Sequence, residues 1–146
     1  MLTRIHDISA DLLMAEGHCD EAFATWRESV LPVQQKSGNK RAALVTRSKM
    51  LDAQLHSQEA TAELRTEAEA LLNAGKAQQE LDAIAWTHKS AGALLAALGE
   101  ARQAVPLLRR AAEAFERIGW PTQASLAREQ ADEIDAEDSC IDPNEG

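Results

Sequence analysis

Apolar residues recur along this chain at alternating steps of three and four, the spacing of one face of an α-helix. Leu81, Ile84, His88, Ala91, Leu95 and Leu98 make one such face, and Ala104, Leu108, Ala111, Phe115 and Ile118 make another. Phe23, Trp26, Val30 and Val33 form a third, and Leu44, Ser48, Leu51 and Leu55 a fourth. No segment alternates with period two for long enough to be a strand, so the pattern predicts an all-α chain. Breaks at Glu16-Gly17-His18, Leu55-His56-Ser57 and Leu98-Gly99-Glu100 predict short turns within helix pairs. Breaks at Ser37-Gly38-Asn39, Ala74-Gly75-Lys76 and Ile118-Gly119-Trp120-Pro121 predict the links between pairs, because glycine ends helices and proline starts them well. The expected helices are 3–15, 20–35, 40–55, 58–73, 78–98, 101–118 and 121–136: three antiparallel pairs and a final helix. The final helix has a modest apolar face (Ala124, Ala127, Ala131, Ile134) on an otherwise charged segment, as a terminal cap requires. The helical domain therefore spans 1–136, and the acidic residues 137–146, with no helical face, are expected to be a disordered tail.

The same phrase occurs three times. LLMAEGHCDEAFATWR (12–27), MLDAQLHSQEATAELR (50–65) and LLAALGEARQAVPLLR (94–109) align without gaps. Each has a leucine (Leu13, Leu51, Leu95), an alanine (Ala22, Ala60, Ala104), a large apolar residue four later (Trp26, Leu64, Leu108) and then an arginine (Arg27, Arg65, Arg109). The alanines are 60 − 22 = 38 and 104 − 60 = 44 residues apart, and periods of about 20–50 residues indicate stacked repeats. Small residues at these points suit the crossing of two helix axes.

Composition narrows the class. Hydrophobic residues make up 45% and aromatics only 3%, with no tyrosine; an alanine- and leucine-rich interior suits closely packed helices. A net charge of −9 argues against nucleic acid as a partner of the whole domain, since such domains carry a basic face. No apolar run reaches the roughly 18 residues of a membrane helix, and the N-terminus carries acids where a signal peptide needs an apolar stretch. Cys19 and Cys140 provide no disulfide framework, and a reducing, cytoplasmic setting is the expectation. From Lys36 to Leu51 five basic residues (Lys36, Lys40, Arg41, Arg47, Lys49) occur with no acid, an expected positive strip for an acidic partner or the chain's own tail; a solvated helix face is the plainer reading.

Candidate chemistry is sparse. His6, His18, His56 and His88 make no metal-ligand spacing with each other or with the cysteines, and no nucleophile elbow, paired-acid motif or phosphate loop is present. The chain is read as non-catalytic, without cofactor or metal.

The third repeat, His88-x2-Ala91-Gly92-x2-Leu95 followed by Ala104-x3-Leu108-x2-Ala111, resembles the tetratricopeptide repeat. The first matches as His6-x2-Ser9-Ala10-x2-Leu13, then Ala22-x3-Trp26; the second, Leu44-x2-Arg47-Ser48-x2-Leu51 then Ala60-x3-Leu64, puts arginine where an apolar residue is usual. The spacing is longer than the family's common 34, and AVPLLRRAAEAFERIGWPTQASLARE (104–129) looks like degenerate repeats in sensor regions of large bacterial ATP-dependent transcription regulators. The resemblance implies a solenoid of three antiparallel helix pairs plus a C-terminal capping helix, with a concave groove lined by the first helix of each pair. Carried over by position, groove candidates are Arg4, Asp7, Asp11 and Met14, then Val45, Lys49 and Asp52, then Trp86, Lys89, Ala93 and Ala96. The implied function is a non-catalytic adaptor that binds a protein or peptide segment, with Trp86, Lys49 and Lys89 setting specificity; packing of Trp86 on its neighbour is the plain alternative. The carboxylate clamp of chaperone adaptors is absent, since Asp7, Asp11, Thr46, Trp86 and Ser90 stand at its positions. A self-associating module, forming a homodimer through its end repeats, is the second reading, and a small-molecule sensor the third. The shared arginines are expected on second helices, away from the groove.

Overall fold

A computed structural model describes residues 2–139 of the chain, and every regular element among them is helical. Helix α1 (Leu2–Ala15) is followed by α2 (19–36), α3 (Lys40–Ser57), α4 (Ala62–Gln78), α5 (Leu81–Ala97), α6 (Ala101–Ile118) and α7 (Pro121–Ser139). No helix is long and apolar enough to cross a membrane among the described residues. Cys140 and most of the expected tail lie outside the described residues, while α7 runs three residues into it.

Helix α2 is continuous but irregular: an α segment (Cys19–Thr25), a π turn (Trp26–Val30) and a second α segment (Leu31–Lys36). Pro32 lacks an N–H, and its ring would meet the carbonyl four residues back in a regular helix. The widened turn just before it accommodates this and leaves both Trp26 and Val30 fully buried.

Glycines at positive φ close the turns at Gly17, Gly38, Gly99 and Gly119, where the sequence predicted breaks. Side-chain caps add to this: Asn39 accepts from the Ala42 N–H at 3.1 Å, and Thr61 from the Leu64 N–H at 3.2 Å.

The fourth helix departs from expectation at both ends. It starts after the Thr61 cap rather than at 58, because α3 continues through His56 to Ser57. It also passes through Gly75, where a stop was expected, and ends at Gln79 in the left-handed region (φ 61°). Gly75 is a packing residue: a Cβ there would collide with the Thr87 hydroxyl of α5, so the glycine lets the two helices approach. Gly92 does the same between α5 and α6, where a Cβ would lie 2.8 Å from Leu108 Cγ and 3.3 Å from the Ala104 carbonyl oxygen. Ala22 and Ala104 are fully buried where their helices meet the partner helix. Ala60 is not a helix crossing; it lies in the link before α4, whose buried small residues are Ala68 and Gly75.

Each helix packs on its neighbours in the chain, and α3 also packs broadly on α5. The interior divides accordingly. One cluster joins Ala10, Ala22, Trp26 and Val30 to Ala53; another joins Leu44, Leu51, Leu64, Leu71 and Leu94; a third joins Ile84, Ala85, Phe115 and Ala124. Each includes a residue from the following pair or from α7, so each pair buries its apolar face partly on the next.

A candidate ligand groove

The side chains of α1, α3, α5 and α7 surround a cavity of about 720 Å3. Its geometry centres on Trp86. Lys89, one turn further along α5, holds its Nζ 4.9 Å from the Trp86 ring centroid, and Lys49 reaches across from α3 to 5.2 Å. Each such contact contributes on the order of 0.5–2 kcal/mol, more as water is excluded. Trp86 also meets Phe115 of α6 in a T-shaped contact at 5.3 Å, so the tryptophan is half core and half groove.

Both ammonium groups have carboxylate partners. Lys49 Nζ lies 3.0 Å from Asp11 Oδ1 and 3.6 Å from Asp7 Oδ1, both on α1. Lys89 Nζ lies 3.6 Å from Asp52 Oδ2 on α3. Asp7 Oδ1 also accepts a hydrogen bond from the buried Trp26 Nε1 at 2.9 Å, tying α1 to α2. Successive first helices are thus joined by a ladder of ion pairs, with a further tie where the Ser90 hydroxyl donates to the Ser48 carbonyl at 2.9 Å.

The ladder is partly dehydrated. Only 12% of the Lys49 side chain is exposed. Burial pushes the Asp52 carboxyl above its ordinary range, with Lys89 acting in the opposite direction. Burial also raises Asp11, against the pull of Lys49. The cost of burying these carboxylates thus offsets part of the attraction within each pair.

Of the sequence candidates, Asp11, Lys49, Asp52, Trp86, Lys89 and Ala93 line the cavity, and so does Met14. Asp7 does not line the cavity, though it pairs with Lys49, which does. Arg4 is exposed and Val45 half-buried, and neither lines it. The sequence reading missed Trp26, assigned to the core alone, and Gln123 and Gln130 of α7, a helix read only as a cap. Gln123 and Gln130 are uncharged residues seven apart on a charged helix, a signal that was there to be used. The Gln123 Oε1 atom is buried with no hydrogen-bond partner among the described residues.

The expected basic strip is not one surface. Lys49 turns into the groove, Arg41 pairs with Glu80 (3.1 Å) and Asp82 (3.5 Å), and Arg47 pairs with Glu67 (2.8 Å). Helix periodicity sends neighbouring cations in different directions. The shared arginines form ion pairs outside the cavity: Arg27 with Glu28, Arg65 with Glu69 and Glu100, Arg109 with Asp132 and Asp135. No protein-family model matches the chain, and it has no significant match to a curated protein or a solved structure.

Proposed function

We propose that the chain is a tetratricopeptide-like solenoid and a non-catalytic adaptor whose groove between α1, α3, α5 and α7 takes a peptide or protein segment. The observation that carries this reading is the half-buried Trp86 between two lysines in a cavity of about 720 Å3. Met14, Leu55, Ala93 and Ala97 give the cavity apolar wall, and Gln123 and Gln130 add neutral polar groups to its lining. The aspartates sharing Lys49 and Lys89 favour a segment carrying both signs of charge over a purely acidic one.

The test is selection of a displayed random-peptide library on the immobilised chain, then titration of selected peptides by fluorescence anisotropy. Ala97→Trp fills the groove from an exposed position without removing core contacts. Affinity should fall at least tenfold in this variant. Peptides that bind it as well as wild type would place recognition elsewhere.

Self-association is the second reading, supported by one feature of α1. Ile5, Ile8 and Leu12, on one face, are 56%, 59% and 60% exposed. If this face pairs with another copy, light scattering will give a mass that rises with concentration and returns to the monomer in Ile8→Glu; a strict monomer at all concentrations removes the idea.

A further inference from the structure

On the side of α5 away from Lys49, a second cavity of about 640 Å3 opens between α4, α5 and α6. Lys76 comes from α4, Arg110 and Arg117 from α6, and the neutral wall from Leu81, Ile84 and His88 of α5 with Gln79 beside them. None of the three cations has a salt bridge among the described residues. In a chain of net charge −9 that is the reverse of the average surface.

The cause is local. The acids next in sequence to lining residues are engaged elsewhere: Glu80 and Asp82, flanking Leu81, pair with Arg41, and Glu116, before Arg117, pairs with Arg128. Glu113, between the two arginines on α6, is exposed and does not line the cavity. Arg110 and Arg117 are two helical turns apart, about 10 Å along the axis, so their side chains can close on one group from two sides. Guanidinium groups match the oxygens of phosphate in pairs, and Lys76 adds a point charge from the third side.

We propose that this cavity binds a small phosphate monoester, its dianion held by Lys76, Arg110 and Arg117 and its organic part lying on Leu81 and Ile84. The volume is that of a small-molecule site. This site shares no lining residue with the peptide groove and stands or falls independently of it. His88 reports on occupancy. Its Nδ1 donates to the Ile84 carbonyl at 2.8 Å, and burial, with Lys76 and Arg110 nearby, lowers its pKa to about 4. A bound dianion offsets those cations and raises it.

Phenyl phosphate, phenol and inorganic phosphate are the probes, titrated calorimetrically at low salt into wild type, Arg110→Gln/Arg117→Gln and Arg102→Gln. Arg102 is an exposed cation of α6 that does not line the cavity. Phenyl phosphate should bind wild type and Arg102→Gln alike, at least fivefold tighter than inorganic phosphate, and lose at least tenfold in the double variant. The His88 imidazole resonance should titrate at higher pH when phenyl phosphate is present. Failure of phenyl phosphate to bind, or equal binding by the double variant, overturns the site. Equal affinity for inorganic phosphate, or binding of phenol alone, overturns the assignment of an ester.

Discussion

Helix α5 presents two charged faces that were built differently. Toward the groove, Lys49 and Lys89 each stand against an aspartate and against the Trp86 ring. Toward α4 and α6, Lys76, Arg110 and Arg117 surround an apolar wall with no acid among the lining residues. Desolvation is the leading influence on both faces, yet the outcome has opposite sign. In the groove it raises Asp52 and Asp11, and on the other side it lowers His88. A face whose charges are matched holds its helices together whether or not a ligand is present. A face whose charges are unmatched keeps its electrostatic attraction available for something else.

The comparison can be broken most severely at Trp26, which is buried, donates to Asp7 and lies 5.9 Å from Lys49 Nζ. Trp26→Ala should destabilise by about 3–5 kcal/mol, read by urea denaturation, because it opens a cavity and frees the acid end of the ladder. A loss under about 1 kcal/mol would mean that the ladder does not depend on this corner.

Acid distinguishes the faces next. Between pH 6.5 and about 4 the unfolded chain holds a proton on His88 that the folded chain does not. Stability from this group is full above 6.5 and is lost as pH falls through that window, by at most about 3 kcal/mol. His88→Gln should flatten that part of the curve.

Asp52 works in the other direction. Its carboxyl holds a proton in the folded state above the ordinary 3.8, so its ionisation costs stability as pH rises through that window and acidification restores it. Asp52→Asn should remove this slope and change stability at neutral pH less than Trp26→Ala does, because Lys89 keeps an outlet to water through the groove. A drop as large as that of Trp26→Ala would show that the Asp52–Lys89 pair is a principal stabiliser. The smallest effect is expected outside both faces. Arg109→Gln removes exposed pairs to Asp132 and Asp135 and should cost about 0.2–1 kcal/mol, vanishing in high salt.

Much of the helical order was legible because period, caps and glycine turns agree locally at Gly17, Gly38, Gly99 and Gly119. The fourth helix was misplaced because Gly75 serves the approach of Thr87, a contact twelve residues away, and punctuates nothing. Helical spacing gave the Leu81, Ile84 and His88 face of α5, while Trp86 and Lys89 were placed on the groove side only through the resemblance to a repeat family. The ion-pair partners were not legible: Lys49 meets Asp11 across 38 residues, and whether Arg41 or Arg110 finds an acid depends on which helices are adjacent. The pocket between α4 and α6 has no pattern in the sequence for the same reason, since its cations come from separate helices.

The measurement that bears most directly on the groove is nuclear magnetic resonance of the three indole N–H groups during titration with a library-selected peptide. Trp86 lines the groove, Trp26 is buried in its wall, and Trp120 is 42% exposed and lines no part of it. The Trp86 signal should shift most, Trp26 less, and Trp120 least. A peptide that moves Trp120 while leaving Trp86 in place would contradict the groove as the binding site.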